Sequence, residues 1–268
     1  ILNPISDQMS VLRSSLVPGL LESMKRNIAQ QSTSLSLFEI GKVFYATQKG
    51  DLPVEQEAVA GLITGNRTDQ AWYGKKAGVD FFDLKGVAEG LFASLRIPDL
   101  TFTKIQDQSC PYYQSGYAAR INCGDTLMGT LGKIDSAVLA NYGLKQDAYV
   151  FDFDLGAIQA LLPEKILARP LPKFPAISRD LTIIVDQSVP AGEIHAYMKD
   201  QTRKDSLVEQ IFLFDAFEGA PLTEGKKSLS FRVVYRSATK TLKEKNISKL
   251  QARISSSVLM QFDAGLLD

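Results

Sequence analysis

The sequence predicts an α+β protein in two parts, and three features carry that prediction. Helical and strand periodicities alternate over residues 1–162 in an order suited to antiparallel pairing. A proline-rich stretch interrupts the chain at 163–178. The pattern β-α-β-β-α-β then fills residues 179–268.

Leu12 to Gln31 places Leu16, Leu20, Met24 and Ile28 on one helical face, with Pro18-Gly19 near its start. Leu35 to Tyr45 and Ala58 to Thr64 are apolar runs of strand character. Asp80 to Leu95 is expected to be a helix that buries Phe82, Val87, Leu91 and Leu95. Gly116 to Cys123 and Thr126 to Ile134 flank Gly124-Asp125, the signature of a hairpin. Val150 to Leu155 is a further strand. Pro163, Pro170, Pro172 and Pro175 then fix φ and remove donors, which favours an extended linker. Beyond it come a strand (Arg179 to Asp186), a helix (Pro190 to Arg203) and a strand (Leu207 to Phe217). A turn-rich connection, a strand (Ser228 to Arg236), a helix (Lys243 to Phe262) and a short terminal strand follow. That order is the ferredoxin-like split βαβ.

Composition excludes several function classes. At 268 residues the chain exceeds one ordinary core of about 100–150 residues. Apolar residues at 45% and charged residues at 22% describe a globular protein, with no run of the roughly 18 apolar residues a membrane helix needs. One histidine (His195) and two cysteines (Cys110, Cys123) supply neither a zinc set nor a disulfide framework, so a cytoplasmic location is expected. The chain opens at Ile1 without a methionine, a charged leader or an apolar h-region, and a fragment of a longer protein is expected.

The net charge of zero hides an asymmetry. Residues 1–169 carry 16 Lys/Arg against 18 Asp/Glu, and residues 170–268 carry 14 against 12. Between Lys226 and Arg253 nine basic residues face one acid, Glu244, a local excess of +8 in 28 residues. Strand parity sorts the second sheet. Leu181, Ile183, Val185, Leu229, Phe231, Val233 and Tyr235 belong under the helices. By the same parity Phe212 and Phe214 face oppositely to Asp215 and Phe217. The open face then carries Thr182, Ser228, Ser230, Arg232 and Arg236, with Phe217 alongside. Small hydroxyls beside an aromatic, with cations near, suit an unstacked RNA base. The competing reading is that Phe217 covers a sheet edge or packs on the linker, and that the basic run is a solvated face.

Phe174-Pro175 followed by Arg179-Asp180-Leu181 resembles the opening of the anticodon-binding domain of the bacterial phenylalanyl-tRNA synthetase β subunit. Leu213-Phe214-Asp215-Ala216-Phe217-Glu218-Gly219 and Gly225-Lys226-Lys227-Ser228-Leu229-Ser230-Phe231 resemble that family's central signature, with Thr241-Leu242 before the last helix. Asn3-Pro4-Ile5-Ser6, Leu12-Arg13-Ser14-Ser15-Leu16, Gly19-Leu20-Leu21 and Phe38-Glu39-Ile40-Gly41 resemble its synthetase-like domain. The resemblance implies a non-catalytic, class II synthetase-like antiparallel-sheet domain over residues 1–162 and a ferredoxin-fold anticodon-binding domain over 179–268. It implies a catalytic α subunit as partner in an (αβ)₂ heterotetramer, and ATP and Mg on that partner rather than on this chain. It implies tRNA(Phe) contacts through Phe217, where the family commonly has tyrosine, and through Thr182, Ser228 and Ser230. Arg232, Arg236, Lys226 and Lys227 are the cationic candidates beside them, the two arginines standing in for a family Leu-Arg ending that here reads Leu266-Leu267-Asp268. A free RNA-binding module and a free-standing enzyme are the alternatives.

Several motifs imitate chemistry. Gly225-Lys226-Lys227-Ser228 lacks the upstream glycine of a phosphate loop, because position 220 is alanine, and it precedes a strand. Gly129-Thr130-Leu131-Gly132 matches a nucleic-acid clamp but lies within a strand, where close packing is expected. Asp152 and Asp154 share a strand face and are expected to be solvated carboxylates rather than metal ligands, and His195 is expected at the surface. Asp83 and Glu89 are acidic helix positions without an evident partner set.

Overall fold

The computed structural model describes residues 3–5, 10–48, 51–68, 72, 77–106, 109–166 and 171–266. Ile1, Ser6, Pro170, Leu267 and Asp268, all named above, lie outside the described residues. The chain divides into two compact units, Ile1–Ile166 and Leu167–Asp268.

The first unit is built on a six-stranded antiparallel sheet. Its strands are β1 (Leu35–Tyr45), β2 (Val54–Thr64), β3 (Leu100–Lys104), β4 (Tyr113–Cys123), β5 (Thr126–Ile134) and β6 (Ala148–Asp154). They lie in the order β1-β2-β6-β5-β4-β3. Helices α1 (Val17–Ala29), α2 (Phe81–Ser94), α3 (Ser136–Asn141) and α4 (Leu155–Ala160) flank it. Both sheet faces are covered, which is why β2 reads as a continuous apolar run rather than an alternating one. Ala58, Ala60 and Leu62 join Leu16, Leu20, Leu21 and Met24, while Val59 and Ile63 join Leu84, Ala88, Phe92 and Phe153.

Two expectations for this unit are corrected. The first helix begins at Val17, not Leu12, with Pro18 in its first turn. Proline has no N–H to donate there and cannot sit deeper without clashing with the preceding turn. Residue 13 instead lies along β1: the Phe44 N–H donates to the Arg13 carbonyl at 2.9 Å, and Arg13 Nε donates to the Lys42 carbonyl at 2.9 Å. In α2 the buried stripe is Leu84, Ala88 and Phe92, with Phe82 74% exposed and Val87 half-exposed. Leu91 and Leu95 are half-buried. The helix is apolar nearly all round, so periodicity could not choose its face. The Asp80 cap sets the phase by accepting from Phe82 N–H and Asp83 N–H, while Asp83 accepts from the Asp80 N–H.

The second unit has the expected β-α-β-β-α-β order: β7 (Ile177–Asp186), α5 (Ala191–Thr202), β8 (Val208–Glu218), β9 (Lys226–Tyr235), α6 (Glu244–Phe262) and β10 (Gly265–Leu266). The sheet order is β10-β7-β9-β8, with every pair antiparallel. Leu181, Ile183, Val185, Leu229, Phe231, Val233 and Tyr235 form one core with Ile194, Met198, Ile247, Ile254 and Val258 of the two helices. Pro190 caps α5, and Gly225 (φ +80°) turns the chain into β9. No helix among the described residues is long and apolar enough to cross a membrane.

Candidate nucleic-acid interface

Helices α5 and α6 occupy one side of the second sheet, so the side chains of opposite parity form its other face. The register fixes their neighbours. Thr182 pairs with Ser230, Ile184 with Ser228, and Asp180 with Arg232. On the other flank of β9, Phe217 lies opposite Ser228, Asp215 opposite Ser230 and Phe212 opposite Arg232. Thr182, Ser228, Ser230, Phe217 and Arg232 are thus brought to one face.

The expected placement of Phe212 and Phe214 is corrected. A register shift between Leu213 and Asp215 makes Phe214 the extra residue of a bulge in β8. A bulge reverses the strict alternation on which parity depends. Phe212, Asp215 and Phe217 therefore share the helix-free face despite their odd and even numbers, while Ile211, Leu213 and Ala216 pair with Val233, Phe231 and Leu229 of the core side. Phe214 turns its ring to Arg232, whose guanidinium carbon lies 4.8 Å from the ring centroid. The face carries three phenylalanines, not one.

Its relief is uneven. Ser228 and Ser230 are each 6% exposed, whereas Phe217 is 43% and Phe214 47% exposed. The serines form a recessed floor, with Thr182 Oγ1 2.9 Å from Ser230 Oγ, and the rings stand up beside it. Neither serine is a free projection into solvent.

The cations do not act as a group. Arg232 makes a two-pronged pair with Asp180, Nε to Oδ1 at 2.7 Å and Nη2 to Oδ2 at 2.8 Å. That hydrogen-bonded guanidinium holds the Asp180 carboxyl below the usual carboxylate range. Arg236 lies just past β9; its Nε donates to Glu209 at 2.9 and 3.0 Å, and Nη1 donates to the Phe174 carbonyl at 3.0 Å. Arg253 pairs with Asp205. Lys226 has the parity of the open face, opposite Asp186, but Lys227 has the other parity and its Nζ donates to the Gln187 carbonyl at 2.9 Å. Lys245 and Lys249 are on α6, in the layer behind the sheet. Acids distant in sequence thus answer the three arginines of the run, and its six lysines are divided between two sides of the unit.

The other motifs have structural explanations. His195 is half-buried rather than superficial, with Nε2 2.8 Å from the Ile211 carbonyl, tying α5 to β8. Asp152 is not solvated: it is part-buried, accepts from Ser15 Oγ at 2.8 Å, and its pKa is raised by burial. Asp154 caps α4 through the Ala157 N–H at 3.1 Å. Asp83 binds Arg67, and Glu89 binds Lys85. Gly129, at φ +145°, lies where a Cβ would come within 2.2 Å of the Asp152 carbonyl oxygen, so it answers to strand contact. Among the described residues no three His, Cys, Asp or Glu side chains converge as a metal-holding group.

A family model described as the phenylalanyl tRNA synthetase beta chain CLM domain matches residues 1–155, and one described as the ferredoxin-fold anticodon binding domain matches residues 172–267. A phenylalanine–tRNA ligase beta subunit of Desulfotalea psychrophila is 37% identical over 277 residues, covering 100% of this chain and 34% of that protein. The beta subunit of Bacillus subtilis is 34% identical over 252 residues (94% of this chain, 31% of that protein). That of Listeria innocua is 37% identical over 252 residues, with the same 94% and 31% coverage. The chain spans about a third of the length of the curated relatives it matches. With the two models in chain order and the first covering more than half of the residues, this chain belongs to the phenylalanyl-tRNA synthetase β-chain family.

Proposed function

We propose that this chain serves a phenylalanine–tRNA ligase as the tRNA-reading and scaffolding part of its β subunit. The second unit binds the tRNA(Phe) anticodon loop on its helix-free sheet face. One observation carries the reading: a half-exposed Phe217 ring stands over a floor of Thr182, Ser228 and Ser230, in a unit that matches an anticodon-binding family. An unpaired base can stack on the ring, and its polar edge can meet the hydroxyls. Arg236 and Lys227 are assigned structural rather than RNA-binding roles, because Glu209, the Phe174 carbonyl and the Gln187 carbonyl already engage them.

The first unit supports assembly with a catalytic α subunit in an (αβ)₂ enzyme and takes no direct part in the chemistry. Assigning ATP and Mg, which aminoacylation requires, to the partner is supported by the lining of two clefts among the described residues of this unit. The smaller, of about 200 Å³, is lined by Tyr45, Tyr112, Asp152 and Asp154 and by no basic residue. A triphosphate there would meet two carboxylates. The larger, of about 580 Å³, contains Arg67, but that guanidinium is held by Asp80 and Asp83.

Fluorescence anisotropy with a tRNA(Phe) anticodon stem-loop, against the same stem with a scrambled anticodon, tests the reading. The cognate loop is expected to bind more tightly, and Phe217→Ala to lose about 1–3 kcal/mol of that binding. Equal affinity for both loops would overturn it. Size-exclusion chromatography of the full-length β subunit with its cognate α subunit tests the assembly role, and failure to co-elute would refute it.

A further inference from the structure

Arg232 is held in a geometry unlike that of a phosphate-binding arginine. Two of its N–H groups are committed to both oxygens of Asp180, a fork-to-fork pair that fixes the guanidinium plane and cancels its charge. The Phe214 ring lies beside it at 4.8 Å, from the extra residue of the bulge in β8. The Arg232 side chain nevertheless remains 41% exposed. A flat, neutralised guanidinium backed by an aromatic ring presents a π-like surface without a net field. Unpaired RNA bases stack on guanidinium planes as they do on aromatic rings.

We infer that Phe214, Arg232 and Asp180 form a second base-stacking platform, one that takes a different nucleotide of the anticodon loop from the one on Phe217. The inference rests on the RNA-binding reading above. Phe214 and Phe217 are three residues apart on β8, roughly 8 Å of strand once the extra residue of the bulge is allowed for. That is more than twice the roughly 3.4 Å step between stacked bases. The two platforms therefore suit bases splayed away from each other. Arg232 works here by shape, so its contribution is insensitive to salt. A phosphate contact would instead steepen the salt dependence by about 0.7 in the logarithmic slope.

The test uses the full chain and the tRNA(Phe) anticodon stem-loop, with single abasic substitutions around the loop as probes. Phe214→Leu keeps an apolar side chain but removes the ring, and Arg232→Lys keeps the charge but removes the plane. Each is expected to weaken binding about 5- to 20-fold with an unchanged salt slope. One abasic position is expected to abolish the Phe214→Leu effect, and a different one the Phe217→Ala effect. Unchanged affinity in Phe214→Leu and Arg232→Lys, while Phe217→Ala still weakens binding, would overturn the second platform and leave the RNA-binding reading standing. The same abasic position silencing both phenylalanine variants would overturn it too. A wild-type chain indifferent to the anticodon would overturn both.

Discussion

The salt dependence of RNA binding separates the charge visible in the sequence from the charge the fold leaves available. Single-stranded nucleic acid releases counterions so that log K falls against log[salt] with a slope of about −0.7 per phosphate neutralised. If all nine basic residues between Lys226 and Arg253 met phosphates, the slope would be near −6. The fold removes most of them. Arg232, Arg236 and Arg253 are paired with Asp180, Glu209 and Asp205, and Lys227 is bound to a backbone carbonyl. Lys245 and Lys249 are on α6, behind the sheet. Lys226 on the open face and Lys240 and Lys243 in the loop after β9 remain, which predicts a slope near −2. Between 50 and 200 mM salt the affinity should then fall about 20-fold rather than several-thousand-fold. Anisotropy titrations of the anticodon stem-loop at four salt concentrations measure this directly. Lys240→Gln should flatten the slope by about 0.7, and Arg236→Gln should leave it unchanged. A wild-type slope steeper than about −4 would show that the arginines exchange their carboxylates for phosphates, and would refute the reasoning.

Gly129→Ala places a Cβ 2.2 Å from the Asp152 carbonyl oxygen and 2.7 Å from Phe153 Cα at φ +145°, so β5 must move off β6. A cost of about 3–5 kcal/mol is expected, seen as a drop of roughly 6–20 °C in the melting of the first unit by calorimetry. RNA affinity should be unchanged, and lost affinity with unaltered melting would restore the clamp reading. Asp152 has a raised pKa because of burial. The folded state therefore holds its proton more tightly than the unfolded chain, and stability declines as pH rises through that window. Asp152→Asn, which can still accept from Ser15 Oγ, should raise the melting temperature at pH 7, with a gain that shrinks toward acid pH; an equal gain at pH 4 would contradict this. Tyr235 is fully buried, its hydroxyl is pushed up to about 12 by burial, and it donates to Gln251 Oε1 at 2.6 Å. Tyr235→Phe should cost about 1 kcal/mol, or roughly 4–8 °C in the second unit's transition, and no shift would show that water replaces the bond.

Strands were the most legible elements. β1 runs from Leu35 to Tyr45 as the apolar pattern predicts, and the Gly124-Asp125 hairpin joins β4 and β5. Alternation, turn residues and strand length are local, and the sheet needs nothing more to choose them. Elements of five or six residues, β3, α3 and α4, offered too few positions for any period to show. Leu84, Ala88 and Phe92 were missed as the buried stripe of α2 because Phe82, Val87 and Leu91 are just as apolar. The Asp80 cap decided between them. The candidate face was legible on β7 and β9, where parity is unbroken over Ile177–Asp186 and Lys226–Tyr235, and misleading on β8. Asp215 stood with Phe217 from the start, but the bulge at Phe214 brought Phe212 over to them.

The sequence alone determined the element order, the residues that must avoid water, and membership of a family through motifs that recur in a fixed order. Those properties depend on neighbours a few positions away, or on inheritance of the whole string. Tertiary structure decided which cations are available and which aromatics share a face. Asp180 and Arg232 are 52 residues apart, and only the β7–β9 register makes them a pair. An ion pair or a bulge is a property of two strands together. Neither can be read from one strand's own alternation, so a run of nine basic residues looked like a phosphate-binding surface until their partners were in place.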